Sequence, residues 1–260
     1  MELFGSRFAS DHGAPRARPC RPTRSTDKVS HTPPTSSQPT QQRATPGDYP
    51  LQEYRAHLAG RDWSILHAGA LLSFADEQRY LGGGTTKQPY GVILWPAAIA
   101  LAHELASRGA ALDGRKVLEL GAGTGLPGLV AASLGARLTQ TDRLDAALTI
   151  CRENAQRNGI SSVEYRIADW AEWNDPARYD VILGSDILYA TRMHDKLRRI
   201  FERNLAPGGF LLLSDPFRSV GMPLLETLEH AGWTISITRW SIGESTEARA
   251  VGTYEVRPPS

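Results

Sequence analysis

The sequence predicts an α/β fold: a mainly parallel seven-stranded sheet covered by helices on both faces. Three observations predict it. Short apolar strand patterns alternate with helical patterns from Lys116 onward. A glycine-rich turn, Gly121-Ala122-Gly123-Thr124-Gly125, joins the first of these strands to the first helix that follows. The last two strands have no helical pattern between them. Alternation of strand and helix requires crossovers that lay helices over a parallel sheet. Two consecutive strands without a crossover pair instead as an antiparallel hairpin, here expected at one edge.

Residues 1–48 come first and differ in kind. Seven prolines sit among Ser, Thr, Gln and Arg, with almost no aliphatic residues after Phe8. Such a segment cannot bury enough apolar surface to offset its ordering entropy, so it is expected to be a disordered tail. Residues 49–90 are expected to form an N-terminal extension or lid, with two short strands around Gly60 and a joint at Gly82-Gly83-Gly84. The main domain then occupies 91–260. Trp95-Pro96 opens a helix through Arg108, with Pro in the first turn, where a missing N–H costs nothing. Strands follow at 116–121, 137–142, 163–167, 179–185, 209–215, 233–240 and 249–257. Helices fall between them at 126–135, 145–158, 192–204 and 221–231. Pro207-Gly208-Gly209 is expected to turn the chain from helix into strand.

Composition narrows the function. Hydrophobic residues make up 41% and charged residues 22%, ordinary for a globular protein, and the net charge is +1. No global field points to nucleic acid or to a membrane surface, and no apolar run is long enough for a bilayer span. Two cysteines exclude a disulfide scaffold, and the seven histidines lack ligand spacing, so no metal is expected. A monomer in a reducing, cytoplasmic compartment fits these numbers.

The glycine turn carries the chemistry. Glycine adopts φ > 0 and lacks Cβ, so the backbone N–H groups after Leu120 are expected to approach a ligand closely. Gly121, Ala122, Gly123 and Gly125 form that turn. The next strand, Leu138 to Asp142, ends in a carboxylate placed to accept from both hydroxyls of a ribose. Gly123-x-Gly125-x-x-Gly128 also satisfies the dinucleotide fingerprint. Glu119, an acid inside the strand just before the glycines, suits a sulfonium-bearing amino acid better than a pyrophosphate. S-adenosyl-L-methionine is therefore favoured over NAD.

Five pieces of the chain resemble the seven-β-strand methyltransferases of family 16, which include protein lysine methyltransferases. They are Tyr90-Gly91-Val92-Ile93-Leu94-Trp95-Pro96, Glu119 to Gly128, Thr141-Asp142, Asp169-Trp170, and Ser185-Asp186-Ile187-Leu188-Tyr189. Asp215-Pro216-Phe217-Arg218 further resembles the Asp-Pro-x-Arg of the flavoprotein-directed branch. The resemblance implies a three-layer Rossmann-like sandwich and protein-directed N-methylation of a lysine side chain. An arginine acceptor, a small-molecule N- or O-methyltransferase, and a binding protein that keeps the cofactor fold without catalysis stay open beside it.

The resemblance also implies a site. Trp95, Glu119, Gly121, Ala122, Gly123, Gly125, Asp142, Asp169, Trp170 and Ser185 would hold the cofactor. Within that set, Asp169 and the N–H beside it would meet adenine, and Trp95 would lie over the methionine arm. Glu119 would contact the methionine ammonium through water or else brace the loop. Asp186 and Tyr189 would be the catalytic pair, Asp186 orienting the incoming amine and Tyr189 walling the channel. The competing reading of Asp186 is a cap on the helix at 192–204.

Overall fold

The computed structural model describes residues 50–70, 90–243 and 248–259. The expected tail at 1–48 and the Gly82–Gly84 joint lie outside the described residues. The extension begins as a hairpin of β1 (Gln52–Leu58) and β2 (Arg61–His67), a two-stranded sheet of its own. Its two-residue turn, Ala59-Gly60, has φ of 52° and 72°, the left-handed pair that matches strand twist in a tight hairpin. Trp63 and Ile65 on β2 are buried against α1 (Pro96–Arg108).

The main sheet has seven strands: β3 (Lys116–Leu120), β4 (Arg137–Asp142), β5 (Val163–Ile167), β6 (Tyr179–Ser185), β7 (Leu205–Asp215), β8 (Thr234–Ile242) and β9 (Arg249–Arg257). Their order is β5-β4-β3-β6-β7-β9-β8, with β3 to β7 parallel and β9 antiparallel to both neighbours. The last two strands form the expected hairpin, but β9 inserts beside β7 and leaves β8 at the edge. Four helices complete the sandwich: α2 (Leu126–Ser133), α3 (Asp145–Arg157), α4 (Thr191–Asn204) and α5 (Met222–His230). None of the described helices is long and apolar enough to cross a membrane.

Strand alternation sorts the core. Val117, Val181, Leu183 and Leu212 face the cluster shared with the hairpin, α1 and α2, whereas Leu118, Ile182, Leu211 and Leu213 face the cluster shared with α4 and α5. This is the period-two consequence of pleating. On α4, His194, Leu197, Ile200, Phe201 and Asn204 are buried, one stripe of a 3.6-residue period.

One boundary moves for a visible reason. β7 starts at Leu205 rather than at 209, because Leu205 already pairs with Tyr179. The register then shifts so that Val181 pairs with Phe210. Pro207-Gly208-Gly209 is thus an irregularity within the strand, with Gly208 at φ 74°. A Cβ on Gly209 would stand 2.7 Å from the Asp180 carbonyl oxygen, so glycine is required there.

The strand order reverses between β3 and β6. In open parallel sheets the crevice outside the carboxyl ends of the strands at such a switch point is where ligands bind. The glycine turn leaves β3 and Asp186 leaves β6 at that place.

Candidate active site

The turn after β3 needs glycine at three positions: Gly121, Gly123 and Gly125 have φ of 64°, 58° and 82°. Three of its N–H groups have acceptors within the fold. Ala122 N–H donates to the Thr141 carbonyl at 2.9 Å and Gly125 N–H to the Ala122 carbonyl at 2.8 Å. Gly123 N–H donates to Asp142 Oδ2, and Gly128 N–H to Glu119 Oε1, each at 3.1 Å. For Ala122, Gly123 and Gly125 this differs from the expectation that the turn's N–H groups are open to a ligand. It also separates the site from a dinucleotide nest, which needs free donors and no acids beneath them.

Glu119 explains the later glycines. It is buried under α2, and its Oε2 accepts from Gln140 Nε2 at 2.7 Å, which also donates to the Gly125 carbonyl at 3.0 Å. A Cβ on Gly128 would overlap Glu119 Oε2, and one on Gly125 would lie 2.9 Å from Gln140 Nε2 and 3.0 Å from Cys151 Sγ. Burial pushes the Glu119 carboxyl up to about 8, opposed by its hydrogen bonds to Gln140 and Gly128. Glu119 is therefore a brace beneath the loop and a partner for the first turn of α2, not a residue facing the methionine ammonium.

Asp142 ends β4, 7% exposed. Oδ2 accepts from Gly123 N–H and Oδ1 from Leu144 N–H at 2.9 Å. Burial raises its pKa. Each oxygen keeps acceptor capacity, so a ribose diol fits the exposed side. Asp169 is exposed beyond β5 and caps a short turn through Ala171 N–H at 2.8 Å. Half-buried Trp170 reaches back to the turn: a Cβ on Gly121 would meet Trp170 Cζ2 at 3.3 Å and Ile187 Cγ2 at 3.2 Å. The chain from β6 thus lies directly against the first glycine.

On the β6 side, half-buried Ser185 ends the strand and Asp186 follows with φ 56°, left-handed without being glycine. Its N–H donates to the Ser214 carbonyl at 2.8 Å. Its carboxylate is gripped by Arg218: Nη1 contacts Oδ1 and Nη2 reaches Oδ2 at 3.2 Å. Arg218 also faces the half-buried ring of Trp95, its guanidinium carbon 5.8 Å from the centroid. Trp95 stacks on Tyr90 at 6.3 Å and donates its indole N–H to the Tyr90 carbonyl at 3.2 Å. Asp215, at the end of β7, accepts from Arg218 N–H through Oδ1 at 2.6 Å, and burial pushes it up to about 6. Tyr189 is 56% exposed at the rim.

One expectation changes here. The helix-cap reading of Asp186 fails, since α4 begins after Ala190 with no side-chain cap. Arg218 already holds the Asp186 carboxylate, a partner that the sequence pattern did not reveal. Arg218 was legible only as the end of the Asp215-Pro216-Phe217-Arg218 motif. Asn154 on α3 gave no sequence signal. Its side chain takes Leu66 N–H at 2.7 Å and donates to Leu66 O at 3.1 Å and Thr124 O at 2.9 Å, fastening β2 to the glycine turn.

The profile of methyltransferase family 16, described as lysine methyltransferase, matches residues 83–218, a little over half of the chain. The chain belongs to this lysine methyltransferase family. The protein N-lysine methyltransferase METTL21A of Xenopus tropicalis is 38% identical over 48% of this chain and 60% of its own length. The same-named protein of Danio rerio is 37% identical over 58% and 72%. The histone-arginine methyltransferase METTL23 of Mus musculus is 35% identical over 49% of this chain and 50% of its own. The chain therefore spans half to three-fifths of the frog and mouse relatives. Among solved structures, the N-methyltransferase NodS from Bradyrhizobium japonicum, in complex with S-adenosyl-L-homocysteine, shares the fold at TM-score 0.52, with 19% identity over 70% of this chain and 98% of its own. For this lysine methyltransferase family member, the residues at the switch point fit S-adenosylmethionine: a buried carboxylate for the ribose and left-handed glycines beside it.

Proposed function

We propose that the chain is an S-adenosylmethionine-dependent methyltransferase acting on the lysine side chain of a protein substrate. One observation carries this reading. The segment that presents Asp186 packs against Gly121, so the acceptor carboxylate and the cofactor turn share one crevice. Asp142 would hold the ribose, the Asp169-Trp170 segment the adenine, and Trp95 and Ser185 the amino-acid end. When bound, the cofactor supplies a methyl carbon activated by positive sulfur.

The chain's own work is alignment and charge. Fixing the nucleophile in line can contribute roughly 7–11 kcal/mol. A lysine acceptor must also lose its proton, which at pH 7 costs about 4.6 kcal/mol from a free pKa near 10.4. Asp186 would bind and orient the ammonium, and by itself would oppose that loss. Exposed Tyr189 at the rim leaves a water route for the proton. Trp95 offers a π face to positive charge at the same place.

A second reading, an arginine acceptor, is favoured by one observation: Asp186 already accepts a guanidinium through both oxygens, the contact that an arginine substrate would make. The test is incubation of the pure protein with methyl-labelled S-adenosylmethionine and host lysate, followed by residue analysis. Label in lysine supports the proposal, label in arginine the second reading, and label only in small molecules overturns both. The proposal extends to a monomer working in the cytoplasm without nucleic-acid or membrane partners, on the support of composition and charge.

A further inference from the structure

Three charged groups and an aromatic ring meet beyond the ends of β6 and β7. The Asp186 and Asp215 side chains are 7% and 3% exposed, and that of Arg218 25%. Two buried carboxylates therefore share one guanidinium, and the sharing is unequal. Asp186 takes the fork through both oxygens. Asp215 Oδ2 is buried and accepts no hydrogen bond, with Arg218 Nη1 standing 3.5 Å away. A buried carboxylate oxygen without a donor is costly and calls for an explanation.

We propose that Arg218 is an exchangeable counter-ion that selects cationic acceptors: it holds Asp186 until an acceptor ammonium arrives, then passes to the waiting oxygen of Asp215. The inference rests on the reading of Asp186 as the acceptor carboxylate. The required motion is small. A charge-assisted N–H···O contact closes at about 2.8 Å, so Nη1 reaches Asp215 Oδ2 within about 1 Å of travel, and the fork then turns away from Asp186. The hinge is already in place, because Arg218's own N–H is bonded to Asp215 Oδ1. Trp95 faces the guanidinium beside both carboxylates, a planar π surface that suits a planar cation in either position.

Charge balance makes the exchange selective. Among these three groups, two carboxylates face one guanidinium, and an arriving ammonium supplies the second cation. Before exchange, Asp215 Oδ2 lacks a donor. After it, each carboxylate has a cation of its own. A neutral hydroxyl acceptor cannot drive the exchange, because Asp186 would surrender a guanidinium and gain no charge in return. Arg218 and Asp215 act as positioning residues on the acceptor, and Asp186 is the group that touches it.

The test uses the full chain, with n-butylammonium as the lysine side-chain probe and n-butanol as its neutral counterpart, and binding read by calorimetry. Removing the competing guanidinium in Arg218→Gln should tighten n-butylammonium by about tenfold, because the open form of Asp186 is then fully populated. Asp215→Asn should weaken it, since Arg218 loses its destination. The double variant should follow Arg218→Gln, and Asp186→Asn should abolish binding. Butanol affinity should stay unchanged throughout. Opposite signs for the two single variants cannot come from general loss of structure. Weakened binding in Arg218→Gln, the same Asp215→Asn penalty with Arg218 absent, or no n-butylammonium binding in any form would overturn the proposal. The labelling experiment answers separately, so wild-type transfer to hydroxyls alone would sink the functional reading and leave the exchange to the calorimetry.

Discussion

Gly128 tests why the chain needs its third glycine. In a dinucleotide site that glycine serves close helix–strand packing. Here its missing Cβ is the space occupied by Glu119 Oε2, with Gln140 Nε2 only 2.9 Å away. Gly128→Ala would improve helix propensity by up to about 1 kcal/mol. Against this stands overpacking in a filled interior, about 1–3 kcal/mol. Glu119 cannot swing clear without weakening its bonds to Gly128 N–H and Gln140 Nε2, worth about 0.5–1.5 kcal/mol each for a carboxyl that burial keeps protonated at neutral pH. The net expectation is destabilisation by about 2–4 kcal/mol. For a domain of this size that is a fall of roughly 5–15 °C in melting temperature. Denaturant unfolding of the single variant, of Glu119→Ala and of the double variant measures it. Once Glu119 is cut back, the added alanine should cost almost nothing, a coupling of about 2 kcal/mol or more. A neutral or stabilising Gly128→Ala, or the same cost in the Glu119→Ala background, would refute the account of Glu119 as the brace.

Four further outcomes are expected. Asp142→Ala should weaken S-adenosylmethionine binding by more than about 1 kcal/mol in calorimetry, since charge-assisted hydrogen bonds to the ribose are lost; unchanged affinity would remove Asp142 from the site. Asp186→Asn should leave cofactor affinity nearly intact while sharply lowering methyl transfer at every pH, and near-wild-type turnover would argue against an ammonium acceptor. Glu119, ordinarily at 4.5 and held up to about 8 by burial, keeps its proton longer in the folded state. Its stabilising share is complete below about pH 4.5 and is lost as pH rises toward 8, so unfolding free energy should decline across that window less steeply in Glu119→Gln than in wild type; parallel slopes would contradict this. Asn154→Ala leaves the buried Leu66 N–H unpaired and should raise hydrogen exchange at Leu66 by at least tenfold, about 1.4 kcal/mol of local opening; unchanged exchange would show that Asn154 does not fasten the hairpin.

Local pattern decided which elements form. The strands and helices from Lys116 onward follow from apolar periodicity, the turn after Leu120 from its glycines, and the start of α1 from Trp95-Pro96, all properties of neighbouring residues. The placement of Asp142 and Asp186 was also legible, because each ends a strand and parallel strands bring their carboxyl ends to one side of the sheet. What contacts what across the chain was not. Glu119 read either as a ligand for the amino-acid end or as a brace for the loop, and only the packing of α2 onto β3 separates the two. Ala122 read as a donor until β4 claimed its N–H through Thr141. Asp186 read as the carboxylate that orients an amine, and only the fold brings Arg218, 32 residues on, against it. Asn154 reaches Leu66 across 88 residues. Periodicity and turn chemistry are written in adjacent side chains, whereas the partner of a buried polar group is set by which strands and helices the completed sheet brings together.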